Sequence, residues 1–521
     1  MIITKQHKTA LLIAAIFASM NNAGATESGT GSAAKQSAQS RLIVNSVKFE
    51  GNTVFSSDEL RTLVGDMSGE QTIESLNQMA QKVAQHYQQS GYPFTVATIP
   101  PQKVTNGTVV IRVLEGRYGD IKVTGSAGSD VRDFVYDIVP GDIINSDKLD
   151  RTMLILSSIP GIKVAGSIRP GKDTGTSDLV IFAEKTKRFD ASVGIDNHGN
   201  KYTNKNRLSA SVNAYSTFLF GDEIKASAIS TGGGLNFGDV KYTALINSSG
   251  LRAGAKIARS TYEIGKEFSV LGASGSVDTV NVQASYPLIY SSSTKVIAGL
   301  NVDRNTMKDK QAIAQTSTKR RSNTISVRLD LREEDGFGGG GITAASAVYT
   351  LGKLKMSEQL AEIDEASGEK TRGRFSKVTL DVTRAQSTPL KGIWLFGRLK
   401  TQIANKNLDN SESINIGGAG GLRGLSPGDL SGDEGWVAQI EVRGNAGAFS
   451  PYAFYDYGKV KVNAKNDQLV YPLAKNSVSA GSIGAGVRYS KNGLNVDFSI
   501  AKSIKVEKQK TQALLSVNYQ F

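Results

Sequence analysis

Ile325-Ser326-Val327-Arg328-Leu329-Asp330-Leu331 alternates apolar and polar side chains without a break. Successive side chains of a strand point to opposite faces, so this run predicts one apolar and one polar face. The pattern recurs on both sides of it. Leu208, Ala210, Val212 and Ala214 alternate with Ser209, Ser211 and Asn213, and Val378, Leu380 and Val382 with Lys377, Thr379 and Asp381. Trp436, Ala438, Ile440 and Val442 alternate with Val437, Gln439 and Glu441, and Leu515, Val517, Tyr519 and Phe521 close the chain. About sixteen such segments fit between Phe189 and Phe521, an even number, as antiparallel membrane barrels require. A soluble sandwich would have to bury those apolar faces against each other, and that many strands would demand two sandwiches. Lipid covers them instead, and closure removes the sheet edges that lipid would penalise. Such barrels escape hydropathy scans because their faces alternate, so the mean hydropathy of -0.22 does not exclude a membrane protein.

The chain opens with Lys5 and Lys8, an apolar run from Ala10 to Met20, and Ala23-Gly24-Ala25. That is the pattern of a secretory leader over 1–25. Residues 26–41 follow as a flexible, small and polar segment. No run of about 18 apolar residues follows, so no transmembrane helix is expected. The chain has no cysteine, so this exported protein depends on a large fold rather than on disulfides. A net charge of +13 would suggest nucleic acid in a cytoplasmic protein. Outside the cytoplasm it suits anionic lipid headgroups, an acidic polypeptide or simple solubility, and no nucleic-acid partner is expected.

Between these ends the pattern is α+β. Leu42, Val44, Val47 and Phe49 predict a strand; Ser56 and Glu59 a capping box; Leu76, Met79, Ala80, Val83 and Tyr87 a helix over 72–89 that stops before Gly91. Strands follow at 96–99 and 109–113. The order strand-helix-helix-strand-strand then repeats, with helices expected at 131–138 and 148–157 and strands at 121–125, 164–168 and 179–182. Two similar modules therefore fill residues 42–117 and 118–186, ahead of a barrel over 187–521.

Gly91-Tyr92-Pro93, Ile99-Pro100-Pro101-Gln102, Asn106-Gly107 and Leu114-Glu115-Gly116 resemble the first polypeptide-transport-associated (POTRA) domain of two-partner-secretion transporters, the haemolysin activator/secretion family. Leu149-Asp150-Arg151 and Ile159-Pro160-Gly161-Ile162 resemble the second. The resemblance implies a β-barrel membrane protein with two N-terminal periplasmic α+β POTRA domains, set in the outer membrane of a Gram-negative bacterium. Its partners would be a secreted exoprotein with an N-terminal secretion domain, outer-membrane lipids, and the barrel-assembly machinery during biogenesis. Gly417-Gly-Ala-Gly-Gly-Leu-Arg-Gly-Leu425 and Phe454-Tyr-Asp-Tyr-Gly458 resemble the family's inward-folded loop and its partner strand. This implies that Leu422, Arg423, Gly424, Asp456 and Gly458 anchor the loop inside the lumen. At contact distance and an effective dielectric near 20, such a pair attracts by about 4 kcal/mol before desolvation is counted. Phe521, with Tyr519 two residues before it, resembles the terminal signal for barrel assembly. Two departures stand out. The usual Val-Arg-Gly-Tyr reads Leu422-Arg423-Gly424-Leu425, and the stretch before Arg41 is too short for the plug helix of many relatives.

Nothing points to catalysis or a cofactor. The histidines are His7, His86 and His198; no Cys/His spacing suits a metal, and a serine hydrolase could draw its base only from His86 or His198. The rival readings are an insertase of the same superfamily, which would carry more POTRA domains, and a passive porin or receptor, which needs no peptide-binding modules.

Overall fold

The computed structural model describes residues 41–135, 137–505 and 510–521. The expected leader, the segment that follows it and any plug lie outside these residues. The chain divides into two units, one ending at Arg117 and one running from Tyr118 to Phe521.

In the first unit the elements are β1 (Arg41–Val44), β2 (Ser46–Glu50), α1 (Ser57–Val64), β3 (Gly69–Thr72), α2 (Ile73–Gln89), β4 (Val96–Thr98) and β5 (Thr108–Leu114). Strand β5 is central, parallel to β2 and antiparallel to β4. The alternating Val109, Ile111 and Val113 point into the core, where Leu76, Val83 and Tyr87 of α2 meet them. The capping box forms: the Glu59 N–H donates to Ser56 Oγ at 3.2 Å and the Ser56 N–H to Glu59 Oε2 at 2.8 Å. One feature escapes the apolar pattern. Gly69–Thr72 pairs antiparallel with Arg41–Val44, with one exposed ion pair, Arg41 Nη1 to Glu70 Oε2 at 2.8 Å, across the ladder, and its side chains carry no alternation to announce a strand.

Leu114-Glu115-Gly116 closes this unit with a buried carboxylate. Glu115 Oε1 accepts from the N–H groups of Thr53 (2.6 Å) and Val54 (2.9 Å) and from the Tyr87 hydroxyl (3.0 Å). The Thr53 hydroxyl donates to Oε2. Burial alone would raise this carboxyl, but the donors from Thr53, Val54 and Tyr87 outweigh it and hold it below the ordinary glutamate value. The same burial, with the Glu115 charge, drives the Tyr87 hydroxyl upward. The residue thus ties the turn after β2 to the end of β5. Gly51, at φ +85°, passes beneath it; a Cβ there would lie 2.3 Å from the Val113 carbonyl oxygen.

The second unit begins one residue into β6 (Arg117–Thr124) and continues with α3 (Gly128–Arg132), α4 (Ser146–Ser157), β7 (Ile162–Pro170) and β8 (Thr176–Lys185). Its sheet order β6-β8-β7 repeats the first module, with the last strand again central. The helix expected at 131–138 is cut short. The N–H groups of Phe134, Val135 and Ile138 bond to carbonyls three residues back, a tight turn rather than an α-helix. Pro140 follows, disfavours the helical region at Val139 and leads into Gly141 at φ +89°.

This module is fastened to the barrel. Arg151 Nη2 donates to the carbonyls of Ser249 (3.2 Å) and Pro287 (2.7 Å), and Arg252 Nη2 to the Ser158 carbonyl (3.1 Å). Phe134 meets Phe220 with ring centroids 5.5 Å apart. Those turns therefore lie at the module end of the barrel. Pro287 sits near a strand end, at a register shift before Ile289.

Among the described residues sixteen antiparallel strands, from Phe189–Asp196 to Thr511–Gln520, close a barrel. Ile325, Val327 and Leu329 are 46–57 % exposed on its outer face. The first and last strands seal it through Ser516↔Asp196 to Gln520↔Ser192. The Asn197 side chain extends that seam, donating to the Ala513 carbonyl (2.9 Å) and accepting from the Leu515 N–H (2.9 Å). By strand parity the connection between the eleventh strand, Ile393–Ala404, and the twelfth, Glu434–Gly444, leaves from the end away from the module. That connection, residues 405–433, folds back inside.

Candidate functional site

The returning loop is a small folded body. Ile414–Asn415 pairs with Ser431–Gly432, and Leu422, fully buried, packs with Ile414, Ile416, Leu425 and Leu430 of the loop. Val437, Val460 and Ala480 of the barrel wall complete the cluster. Leu425 thus fills an apolar slot where the family pattern has tyrosine.

Arg423 projects from this body into the wall. Its Nε and Nη2 grip Asp456 at 2.9 and 2.5 Å, and its own N–H reaches Asp456 Oδ2 at 3.2 Å. Asp456, on the thirteenth strand Phe449–Lys461, is fully buried, as its apolar outer neighbours imply. A second carboxylate completes the fork, since Nη1 lies 2.6 Å from Glu441 Oε1. The guanidinium sits over the Phe454 ring, 3.4 Å from its centroid, which adds a desolvated cation–π contact worth about 2 kcal/mol.

Glu441 is shared. Arg443 Nε reaches it at 2.5 Å and Arg488 Nη1 at 3.1 Å, while Arg488 Nε also bonds Asp497 at 2.9 Å. Arg423, Arg443 and Arg488 therefore face Glu441, Asp456 and Asp497, a neutral network able to offset its own desolvation. A cavity of about 190 Å³ beside it is lined by His198, Phe396, Arg398 and Tyr452 among others. His198 donates its backbone N–H to Asp196 and His86 packs on Phe55. No cluster suited to a metal ion occurs among the described residues.

Two glycines let the loop sit this close. A Cβ on Gly424 would lie 2.6 Å from the Ser503 nitrogen, and the Gly424 N–H donates to Ser482 Oγ at 2.9 Å. A Cβ on Gly458 would lie 2.8 Å from both the Trp436 carbonyl oxygen and Ile416 Cδ1. Further contacts tie the loop to the wall: Gln439 Nε2 to the Gly421 carbonyl (2.8 Å), Arg398 to the Gly420 carbonyl (3.3 Å), and Lys377 to Glu412 (2.9 Å).

Leu422, Arg423, Gly424, Asp456 and Gly458 thus converge. Glu441 and Phe454 join them; Glu441 lies outside the stretches that resemble the family, and Phe454 opens one of them without a role having been assigned to it. The signal for both was present in the two-residue period: Glu441 is on the polar side of its strand, and Phe454 is two residues from Asp456. Tyr519 and Phe521 lie elsewhere, at the seam, with rings edge to face at 4.8 Å.

A family model described as haemolysin secretion/activation protein ShlB/FhaC/HecB matches residues 175–488, and a ShlB-type POTRA domain matches residues 42–116. The chain belongs to the ShlB/FhaC/HecB family. It is an outer-membrane pore for exoprotein secretion with its POTRA domains in the periplasm. A heme/hemopexin transporter protein, HuxB of Haemophilus influenzae, is 27 % identical over 464 residues, 86 % of this chain and 80 % of that protein. The outer membrane transporter CdiB of Dickeya dadantii is 23 % identical over 425 residues, 77 % of this chain and 73 % of that one. Among solved structures, CdiB from Escherichia coli aligns with a TM-score of 0.77 at 17 % identity, covering 99 % of this chain and 97 % of that one, which shows a shared fold. Within this family of transporters the insertase and passive-porin readings are not favoured.

Proposed function

We propose that the POTRA domains capture an unfolded exoprotein in the periplasm and that the chain then threads past a loop held in the lumen by Arg423. The observation that carries this reading is the burial of one guanidinium against two carboxylates at the tip of a returning loop. A flexible outer loop would leave its arginine in water. Capture would use strand addition to an open sheet edge; β4 in the first module is such an edge, with Val96 exposed. The cargo carries an N-terminal secretion domain, and its folding outside the cell supplies the drive. Tyr519 and Phe521 serve the barrel-assembly machinery, and the apolar outer wall meets outer-membrane lipid. Among the domain boundaries, 42–117 is the functional capture module.

The test is export from cells that carry the protein lacking residues 42–117. We expect the barrel in the outer membrane and no cargo in the medium. Normal export would refute capture by this module. A large neighbouring gene with an N-terminal secretion domain would identify the cargo.

A further inference from the structure

Three lysines stand in one row on the lumen wall. Lys225 pairs directly with Lys241, and Lys241 with Lys256, across the third, fourth and fifth strands. Val240 and Ile257, the neighbouring pair, are exposed on the outer face, so the lysines face inward. Like charges directly opposite one another destabilise a sheet. Among the described residues none of the three has a hydrogen bond or ion pair to offset this, unlike the paired arginines around Asp456. Glu223, Asp239, Asp303 and Asp309 share the wall, but Asp239 is engaged by the Ser227 hydroxyl, Asp303 by the Asn281 amide (2.8 Å), Asp309 by Tyr262 and Arg320, and Glu223 is bonded to none of the three lysines. The row continues into Asn213 on one side and Asn281 on the other, with no apolar side chain in it.

The loop leaves this wall free. Its polar contacts with the barrel go to Arg320 and Ser322 of the eighth strand, to the tenth through fourteenth strands, and to Asn200. None of its hydrogen bonds or ion pairs reaches the third to seventh strands among the described residues. The lumen is therefore divided into a wall occupied by the loop and a hydrated wall that bears the lysines.

We propose that the wall of the third to seventh strands is the cargo's lane and that Lys225, Lys241 and Lys256 bind acidic side chains of the passing polypeptide. This rests on the secretion reading above and specifies the chemistry of the path. The three lysines without ion-pair partners favour anions locally, along their row, and disfavour basic segments there. An unfolded acidic segment gains successive weak contacts there, each released as the chain advances.

The natural absence of cysteine makes the test clean. Gln283→Cys places a single thiol on this wall, two residues from Asn281. Its modification rates with an anionic and a cationic thiosulfonate reagent are compared in the full-length protein in outer membranes. We expect the anionic reagent to be favoured, and the preference to vanish when Lys225, Lys241 and Lys256 are all changed to Gln. It should reverse when all three become Glu, while heat-modifiable migration confirms folding of each variant. A preference unchanged by the Gln variant would overturn the electrostatic assignment without cargo being involved. With cargo stalled in the pore, the introduced thiol should be shielded. Full reactivity during stalling would refute the lane while leaving secretion itself intact.

Discussion

At the scale of the residue, Arg423 determines more than a pair. Arg423→Ala leaves Asp456 buried and unpartnered, a loss of about 3–5 kcal/mol at the loop's attachment. We expect barrel insertion to survive and cargo in the medium to fall sharply. Near-normal export would show that the loop holds without its arginine. Glu441 decides the outcome of a charge swap. With Arg423→Asp and Asp456→Arg, the new carboxylate at 423 would face Glu441, so the swap should not restore export even though the simple pair is restored on paper. Glu441→Gln weakens the fork from the other side and leaves Arg443 and Arg488 with one carboxylate fewer; export should fall less than with Arg423→Ala. The arginine, both glycines and Asp456 were legible in the sequence through their resemblance to the family's inward loop and its partner strand. Glu441 was legible only as a polar-face residue, since its partner lies across a loop whose path no local pattern specifies.

At the scale of the element, Glu115 and Asn407 show how side chains hold backbone where no strand or helix does. The donors that keep Glu115 ionised favour its charged form in the folded module. That contribution to stability is present above the ordinary glutamate range and is lost as pH falls through the lowered value. Thermal melts of the isolated 42–117 module should lose stability on acidification, and Glu115→Ala should flatten that slope while costing about 1–3 kcal/mol at neutral pH. An unchanged slope would place the acid sensitivity elsewhere. Asn407, buried in the outer loops, donates to the Glu369 and Lys465 carbonyls (3.1 and 3.2 Å) and accepts from the Lys465 N–H at 2.6 Å. Asn407→Ala should loosen the helix Glu358–Ser367 and the loop 462–476 together, read as faster cleavage by external protease. Resistance equal to that of the unaltered protein would mean that these loops hold each other by other contacts. The shortened helix at Gly128–Arg132 belongs to this scale too. Apolar spacing over 131–138 fits a helix, but the hydrogen bonds select a tight turn.

At the scale of the whole molecule, the barrel should migrate differently in boiled and unboiled samples on a denaturing gel, and recovery as soluble periplasmic protein would contradict the membrane fold. Removal of Phe521 should lower the amount of folded barrel in the outer membrane without changing the export per folded copy. An unaltered amount would make the terminal aromatic a packing residue only.

The sequence by itself determined the barrel, because lipid on one side and water on the other force a two-residue period that local chemistry displays. It also determined the paired modules, whose caps and helical spacing are local. Tertiary structure alone decided the β1–β3 pairing, the docking of the second module through Arg151, the fork completed by Glu441, and the apposition of three lysines. Each depends on register or on the return path of a loop. Register is set by turns and by the summed packing of a closed sheet, so residues far apart in the chain meet without any short-range signal.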